Sequence, residues 1–298
     1  MAPASASAPV PASVSASVPA ERARHWTHPG LPGVDLLRAH YIRHTFPRHA
    51  HDGYVIAAVT RGIEVVGLPQ GEAQAGAGSV VLINPETPHT AHAGTGEGWS
   101  YKVLYPAVGV IADVAAEISA IRGTPSFTTS LLDDPEAARL IADVHRAAEY
   151  DNPLAADSIL RLAAAGLLRR WGAAPARNRP PGAGEPAARR ARELLEARIS
   201  TPPSLDELAA EVGTSPFALL RAFRRAYGLP PHAWLTGERV REARRMLEAG
   251  RAPAETAVAV GFTDQPHLNR HFTRIVGVPP GAYQRERRNV QDLAGRAP

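Results

Sequence analysis

Two histidines separated by a single residue, His49 and His51, have a spacing that suits metal or ligand binding. Residues i and i+2 of a β-strand point to the same face, so the two imidazoles converge if this stretch is a strand. Neutral imidazole is a frequent ligand of zinc and other divalent metals. The pair therefore predicts either a site inside a sheet that binds a metal or a ligand, or two histidines with an ordinary structural role.

Two pairs of arginines near the other end of the chain have a spacing that suits DNA. Arg221 and Arg225 lie four residues apart, as do Arg270 and Arg274, so each pair shares one face of a helix. A helix in the major groove recognises guanine or phosphate through such forked donors. A solvated basic helix face is the alternative. The side chains expected to accompany these arginines on the DNA are Phe217, Leu220, Gln265, Pro266, His267 and Asn269.

An internal repeat positions both arginine pairs. Each copy has a glycine, a helix-capping residue and two apolar residues at helical spacing, and the second copy follows 48 or 49 residues later: Gly213, Ser215, Leu219 and Phe223, then Gly261, Asp264, Leu268 and Phe272. The glycine ends one helix in a left-handed conformation, and Ser or Asp caps the next helix. This is a helix-turn-helix signature. Residues 233–249 have helical periodicity, and about 17 helical residues span roughly 25 Å, which suits reading helices in major-groove segments about 34 Å apart.

The repeat also resembles a known family. The second copy reads GFTDQPHLNRHF from Gly261 and GVPPGAY from Gly277, which is similar to the most specific signature of the AraC/XylS family of bacterial transcription regulators. The resemblance covers residues 187–287 and implies two helix-turn-helix units that bind promoter DNA, with RNA polymerase as a further partner. Phe217 and Leu220 stand where polar base readers are common, which favours contacts with thymine methyl groups or recognition of DNA shape.

The part of the chain before position 106 has the periodicity of strands. Residues 36–46, 54–60, 63–68, 79–84 and 99–105 are apolar or alternating runs between turns, which predicts a small β-barrel or jelly roll. Two stretches in it, around His49 and from Gly78 to His89, resemble the cupin motifs of AraC-type sensor domains. That resemblance implies an effector pocket with His89 as a third histidine beside His49 and His51.

The same resemblance leaves the role of the three histidines open. Their imidazoles would hold a divalent metal, or they would line an effector pocket that contains no metal. A cupin metal site has a fourth ligand, a glutamate a few residues after the His-x-His pair, and Tyr54, Val55 and Ile56 occupy that stretch here. We therefore expect a small-molecule pocket, no enzyme activity and no required cofactor.

Helical periodicity begins after position 106, over residues 108–122, 134–150 and 154–171. These helices are expected either to join two subunits as a homodimer or to cover the barrel. The predicted fold class is α+β with two domains, a cupin-like β-barrel with trailing helices and an all-α domain of two helix-turn-helix units joined by a helix. The predicted boundaries are a disordered tail (1–24), the barrel (25–106), the helical region (107–171), a linker (172–186), the DNA-binding domain (187–288) and a second disordered tail (289–298).

Charge and composition agree with this division. The 298 residues have a net charge of +4, yet residues 187–298 contain 18 arginines and 12 acidic residues. The basic surface therefore coincides with the predicted DNA-binding domain. The chain has no cysteine, which excludes disulfides and thiol catalysis. Residues 1–20 have neither the basic start nor the unbroken apolar core of a secretory signal, and no later run suits a membrane span, so we expect a cytoplasmic protein.

Together these features predict a sequence-specific transcription regulator whose cupin-like domain senses a small molecule. Two rival hypotheses belong to other classes of protein. One is a metal-dependent cupin enzyme fused to a DNA-binding domain. Stoichiometric bound metal that is lost when His51 is replaced would favour this hypothesis. The other is an architectural DNA binder. A DNA affinity that stays the same in the presence of every metabolite tested would favour this hypothesis.

Overall fold

The computed structural model describes residues 21–118, 123–173 and 185–294, and the side chains of residues 185, 217 and 288–294 lie outside the described part. The strands are β1 (Arg22–Thr27), β2 (Val34–Tyr41), β3 (Phe46–His49), β4 (Val55–Gly62), β5 (Glu64–Leu68), β6 (Gly71–Ala75), β7 (Ser79–Ile83), β8 (His89–Ala93), β9 (Trp99–Pro106), β10 (Ser126–Phe127), β11 (Leu131–Asp133) and β12 (Gly172–Ala173). The helices are α1 (Val108–Ile118), α2 (Pro135–Glu149), α3 (Pro153–Trp171), α4 (Glu185–Ala197), α5 (Leu205–Glu211), α6 (Pro216–Tyr227), α7 (Pro231–Glu248), α8 (Pro253–Ala259), α9 (Gln265–Val276) and α10 (Pro280–Ala294). We call residues 21–173 the N-terminal domain and residues 185–294 the C-terminal domain. Within these ranges, no helix combines the length and the apolar character that crossing a membrane requires.

The N-terminal domain has two main antiparallel sheets. The larger sheet has the strand order β1-β2-β9-β4-β7-β11, and the smaller one has the order β3-β8-β5-β6. Along β4, Val55, Ala57 and Val59 belong to one core cluster, while Ile56 and Ala58 belong to another on the opposite face. Because both faces of this strand are buried, its sequence is apolar without alternating polar residues.

Helices α1 to α3 cover the second face of the larger sheet. Ile141 and Val144 of α2 and Leu160 of α3 are buried in the same cluster as Ile56. His145 of α2 is fully buried, and its Nε2 lies 3.1 Å from the carbonyl oxygen of Val103. Burial lowers the pKa of His145 to about 3, so the ring is neutral in the folded protein. The apolar faces of these helices therefore cover the sheet, one of the two roles expected for them.

Of the two forms expected for residues 25–106, a β-barrel or a jelly roll, the two antiparallel sheets agree with the jelly roll, although the predicted strand bounds change. The predicted strand 36–46 is two strands, β2 and β3, which lie in different sheets because the chain bends between Tyr41 and Phe46. Strand β1 begins at Arg22 and pairs with β2, so residues 22–24 are part of the domain rather than a tail. Short strands also occur in the region expected to be helical, where β11 extends the larger sheet beside β7.

The other predicted boundaries shift by a few residues. Residues 172–173 pair with β10 as strand β12, and α4 begins at Glu185, so both ends of the predicted linker belong to regular elements. Helix α10 continues to Ala294, past the predicted start of the second tail at 289. The rest of these predictions, for residues 1–20, 119–122, 174–184 and 295–298, falls outside the described residues.

The C-terminal domain contains both expected helix-turn-helix units, α5–α6 and α8–α9. The predicted caps are present, since Ser215 accepts a hydrogen bond from the third residue of α6 and Asp264 does the same for α9. The second helix of each unit, α6 or α9, is called its reading helix. Both reading helices end at a glycine in the left-handed conformation, Gly228 with φ 70° and Gly277 with φ 85°. These two glycines are 49 residues apart, so the repeat in the sequence is a repeat in the structure.

Each unit has its own apolar core, and α7 contributes to both. Leu219 and Phe223 are fully buried in the first core, as Leu268 and Phe272 are in the second. The first half of α7 packs on the first core and the second half packs on the second core, through Trp234, Leu235, Val240, Ala243 and Leu247. The two reading helices are therefore held on one continuous helix of 18 residues, as the sequence predicts.

Candidate nucleic-acid interface and effector site

The first half of α9 presents an exposed polar face. Its exposed members are Gln265, Pro266, Asn269 and Arg270. His267 differs from them, because it is half-buried and its Nδ1 lies 3.2 Å from the hydroxyl oxygen of Thr263. Its ring also packs against Phe262, with centroids 5.1 Å apart. His267 therefore supports the turn that precedes the helix, while the four exposed residues form the surface that can meet DNA.

The same face of α6 is more apolar. Arg221 is exposed and Leu220 is half-buried, while the side chain of Phe217 lies outside the described part. Arg221 and Arg270 are 49 residues apart and occupy the same position in the two units. Each lies in the second turn of a helix whose first turn is capped, the part of a recognition helix that contacts base edges.

The C-terminal ends of both reading helices face the N-terminal domain. Arg225 of α6 lines a cleft between the domains that also includes Arg48 and Glu86. Arg274 of α9 lies close enough to His44 that its charge, after burial of the ring, helps to lower the pKa of His44. Two of the predicted DNA contacts, Arg225 and Arg274, are thus at the domain boundary, one turn beyond Arg221 and Arg270.

The three predicted histidines meet in the N-terminal domain, although the strand expected to carry both His49 and His51 ends at His49. His51 follows β3 in the loop, and His89 begins β8. One ligand atom from each of His49, His51 and His89 lies within 4.8 Å of the others, and the Nε2 atoms of His49 and His51 are 3.1 Å apart. Burial lowers the pKa of His49 to about 4 and that of His89 to about 3, and it lowers the pKa of His51 as well. All three rings are therefore neutral at physiological pH.

Backbone contacts orient two of these rings. The Nδ1 of His49 lies 2.7 Å from the carbonyl oxygen of Pro47, and the Nδ1 of His89 lies 3.0 Å from that of Thr87. A carbonyl oxygen only accepts hydrogen bonds, so each Nδ1 carries the proton of its neutral ring. The Nε2 of both rings is then an unprotonated nitrogen with a lone pair, the form that binds a metal.

Two spaces adjoin the histidines. An inner cavity of about 30 Å³ is lined by all three histidines, Glu64 and Tyr105, which is room for about one or two water molecules. An outer cleft of about 350 Å³ lies between the domains and shares His51 and Tyr105 with the cavity. Pockets for small organic ligands measure about 300–1,000 Å³, so the outer cleft, rather than the interior of the sheets, has the volume for such an effector.

Glu64 is a residue of this site that the sequence analysis did not find. Its side chain is buried, and its Oε2 has no hydrogen-bond partner among the described residues. Burial raises the pKa of Glu64 to about 8, so the carboxyl group is mostly protonated at neutral pH. The signal available in the sequence was an acidic residue at the start of the apolar run Glu64–Leu68. Carboxyl groups are seldom buried, so an acidic residue in such an apolar strand was worth noting.

An ion-pair network joins the domains, and it too was absent from the sequence analysis. The Nη2 of Arg244 donates to the Oδ2 of Asp35 over 2.5 Å, and the Nη2 of Arg287 lies 2.8 Å from the same oxygen. Tyr283 stands between the two arginines, with its hydroxyl 3.0 Å from the Nε of Arg244 and its ring under the guanidinium of Arg287. One aspartate of the N-terminal domain therefore holds two arginines of the C-terminal domain, at the wall of the outer cleft.

The two glycines that end the reading helices also contact the N-terminal domain. A Cβ on Gly228 would come 2.6 Å from the Cγ of Pro88, and a Cβ on Gly277 would come 2.4 Å from the hydroxyl of Tyr41 and 3.4 Å from the ring of Phe46. That hydroxyl donates to the Gly277 carbonyl oxygen over 2.9 Å. The N-terminal domain thus contacts both helix-turn-helix units at equivalent positions of the repeat.

Comparisons with known proteins agree with both halves of this architecture. A family model described as an AraC-like ligand binding domain matches residues 31–167, and one described as a helix-turn-helix domain matches residues 208–286. The HTH-type transcriptional regulator YbfI of Bacillus subtilis, itself named as uncharacterized, is 24% identical over 238 residues, or 79% of this chain and 86% of that protein. The regulatory protein PchR of Pseudomonas aeruginosa is 46% identical over 57 residues, which is 19% of either protein.

A solved structure has a similar fold. The crystal structure of ToxT from Vibrio cholerae O395 superposes with a TM-score of 0.52 and covers 89% of this chain and 97% of that chain, at 12% sequence identity. At this identity the similarity concerns the fold. Ligand-binding and helix-turn-helix family models in the order predicted, regulators among the relatives and two capped reading helices all lead to one assignment. The chain belongs to the AraC/XylS family of transcription regulators, as a DNA-binding protein with an N-terminal ligand-binding domain.

Proposed function

We propose that this regulator reads its operator through Arg221 and Arg270, which contact two successive major-groove segments. The observation that carries the proposal is the equivalence of the two arginines, each in the second turn of a capped helix that a shared α7 holds in place. Gln265, Asn269 and Pro266 would extend the contact in the second unit, and Leu220 and Phe217 in the first. His267 would act mainly by positioning the turn, and Arg225 and Arg274 would lie at the edge of the DNA contact.

The experiment compares two arginine variants that remove the same charge. Genomic fragments selected by the purified protein are footprinted, and two protected patches about one helical turn apart are expected. Arg270→Ala should weaken operator binding by about 5- to 150-fold, because a bidentate contact with guanine contributes about 1–3 kcal/mol. Arg139→Ala is the control, since Arg139 is exposed on α2 of the N-terminal domain and its loss should leave operator affinity within about twofold.

Equal effects of Arg270→Ala and Arg139→Ala would contradict the proposed reading face. Binding without any sequence preference that only falls uniformly with salt would indicate an architectural DNA binder instead. The relatives described above are regulators, which supports a regulatory rather than a catalytic role for the N-terminal domain. Since it acts on chromosomal DNA, we place the protein in the cytoplasm, at the nucleoid when bound, with RNA polymerase as a further partner at the promoter.

The effector is proposed to act at the boundary between the domains. The outer cleft has the volume for a small molecule, and its walls come from both domains, including Asp35 and Arg244. A ligand in this cleft changes the contacts that join the domains. It shifts DNA affinity only to the extent that its own affinity differs between the state with docked domains and the state with undocked domains. The expected observation is a metabolite that alters operator affinity and, reciprocally, binds with a different affinity when operator is present.

A homodimer through α3 is also proposed. Leu154 and Leu162 are 79% and 64% exposed, and eight residues of separation place them on one face of the helix. Tyr150, just before α3, is 79% exposed as well. A second copy of the chain would bury these side chains. We expect a dimer in sedimentation equilibrium and a monomer for Leu162→Arg, and a monomeric wild-type protein at micromolar concentration would contradict the dimer.

A further inference from the structure

Two of the three histidines have the separation of ligands in a metal site, and the third lies within 4.8 Å of them. Two nitrogen ligands about 2.0–2.1 Å from a tetrahedral ion are about 3.3 Å apart, and the Nε2 atoms of His49 and His51 are 3.1 Å apart. With the proton of His49 on Nδ1, this contact is either a hydrogen bond from the Nε2–H of His51 or two lone pairs directed at one ion. The carbonyl oxygens of Pro47 and Thr87 hold two of the rings in the orientation that ligation needs, as the outer shell of a metal site does.

The space beside the histidines also suits an ion better than an organic molecule. The inner cavity of about 30 Å³ is far below the size of a pocket for a small organic ligand. It has room for an ion with about one water molecule. Glu64 lines the same cavity with a carboxyl oxygen that has no partner among the described residues. A water molecule on the ion would give that oxygen a hydrogen-bond partner.

The residues on either side of the histidines contact the DNA-binding units. Pro88, which directly precedes His89, meets Gly228 at the end of α6, and Phe46, three residues before His49 on β3, meets Gly277 at the end of α9. His51 itself lines the cleft opposite Arg244. Drawing the three imidazoles together around an ion therefore moves the segments that contact both helix-turn-helix units, and it does so at equivalent positions of the repeat.

We propose that His49, His51 and His89 bind a divalent transition-metal ion of the kind that imidazole ligates, such as zinc, and that occupancy of this site regulates operator binding. The proposal rests on the function proposed above, since it names one effector of that regulator. The N-terminal domain then senses a metal ion at the inner cavity, next to the cleft that is large enough for an organic ligand.

Metal binding is tested first without DNA. The full-length protein is stripped with a chelator, dialysed against zinc and analysed for bound metal, and cobalt is added to a second sample for its visible absorption bands. One equivalent of zinc per chain and a four-coordinate cobalt spectrum are expected. His51→Ala and His89→Gln should each bind less than a quarter of an equivalent. His92→Ala is the matched control, because His92 lies on the same strand as His89 but outside the histidine cluster, and it should bind one equivalent.

Regulation is tested next with the selected operator. Zinc should change the operator affinity of the wild-type protein and of His92→Ala by about fivefold or more, and it should leave His51→Ala and His89→Gln unchanged. Absence of stoichiometric metal in the wild-type protein would overturn the site. Stoichiometric metal with no change in operator affinity would overturn its regulatory role. If the wild-type protein binds the metal but shows no sequence-specific DNA binding, the proposed function is refuted instead. Failure of the metal site and failure of the proposed function are therefore distinguishable.

Discussion

Asp35→Ala is expected to release the C-terminal domain from the N-terminal domain. Asp35 is the carboxylate of the N-terminal domain that meets both Arg244 and Arg287, and the side chain of Arg287 is only 6% exposed. Removing one partner of a buried ion pair costs about 3–5 kcal/mol, because the remaining charge stays buried without compensation. Glu248 and Tyr283 still contact the arginines in the variant. We therefore expect the free energy of domain docking to become less favourable by the lower value of this range, about 3 kcal/mol.

A second ion pair across the same interface provides the control. Arg24 and Glu286 also join the two domains, at 3.2 Å, but their side chains are 45% and 32% exposed. Exposed pairs contribute about 0.2–1 kcal/mol, so Glu286→Ala should leave the domains docked. Hydrogen–deuterium exchange in β2 and α10 and the radius of gyration from small-angle X-ray scattering report docking directly. Equal exchange and equal dimensions for Asp35→Ala and Glu286→Ala would show that the network does not hold the domains together.

Gly277→Ala is expected to have the second-largest effect on docking. The φ of Gly277 is 85°, a conformation that costs a residue with a Cβ about 1–2 kcal/mol. Its new methyl group would also lie 2.4 Å from the hydroxyl of Tyr41, and such overpacking costs about 1–3 kcal/mol more. The backbone strain weakens the end of α9 in every state of the protein, whereas the collision with Tyr41 acts only when the domains are docked. Gly228→Ala should behave in the same way against Pro88.

Gly213→Ala separates these two terms. Gly213 has a φ of 69° in the turn of the first unit, and apart from its chain neighbours no atom of the described residues would lie within 4 Å of a Cβ there. This variant therefore carries the backbone strain without the collision. We expect all three variants to lower the free energy of unfolding, but only Gly228→Ala and Gly277→Ala to increase hydrogen exchange in β3 and at the start of β8. Increased exchange there in Gly213→Ala as well would mean that backbone strain alone undocks the domains.

The two docking contacts give the regulator a physical connection between its halves. Arg221 of α6 and Asn269 and Arg270 of α9 are exposed, while the glycine at the C-terminal end of each helix touches the N-terminal domain. A change in the position of Phe46 or Pro88 therefore reaches both reading helices, each at its C-terminal glycine. This connection requires only small movements, because the glycine contacts are closer than a single added methyl group allows.

Much of the C-terminal domain could be predicted because its signals are local. The caps at Ser215 and Asp264 and the glycines at 213 and 261 act within one helical turn, and the apolar stripe of Leu268 and Phe272 follows from the helical period alone. The repeat at an offset of 49 reinforced each assignment. The exception is Arg225 and Arg274, whose spacing matched the reading face although the structure places them beside the N-terminal domain.

The N-terminal domain was less predictable, since strand pairing depends on residues far apart in the chain. Alternation along a strand indicates which residues share a face, but not which strand lies next to it. The chain between β2 and β3 could therefore be read as one strand, although the two strands belong to different sheets. His49 and His51 were recognisable as a pair at i and i+2, whereas His89 was identified through the resemblance and Glu64 was not identified at all.

The sequence by itself determined that the protein has two helix-turn-helix units, where their reading helices begin and end, and which arginines they carry, because hydrogen bonds and packing within a few residues decide these features. Only the tertiary structure decided how the two domains meet. The contact of Asp35 with Arg244 joins residues 209 positions apart, and no local pattern encodes a partner at that distance. Burial of Glu64 and convergence of the three histidines likewise depend on the packing of the two sheets, which the whole path of the chain determines.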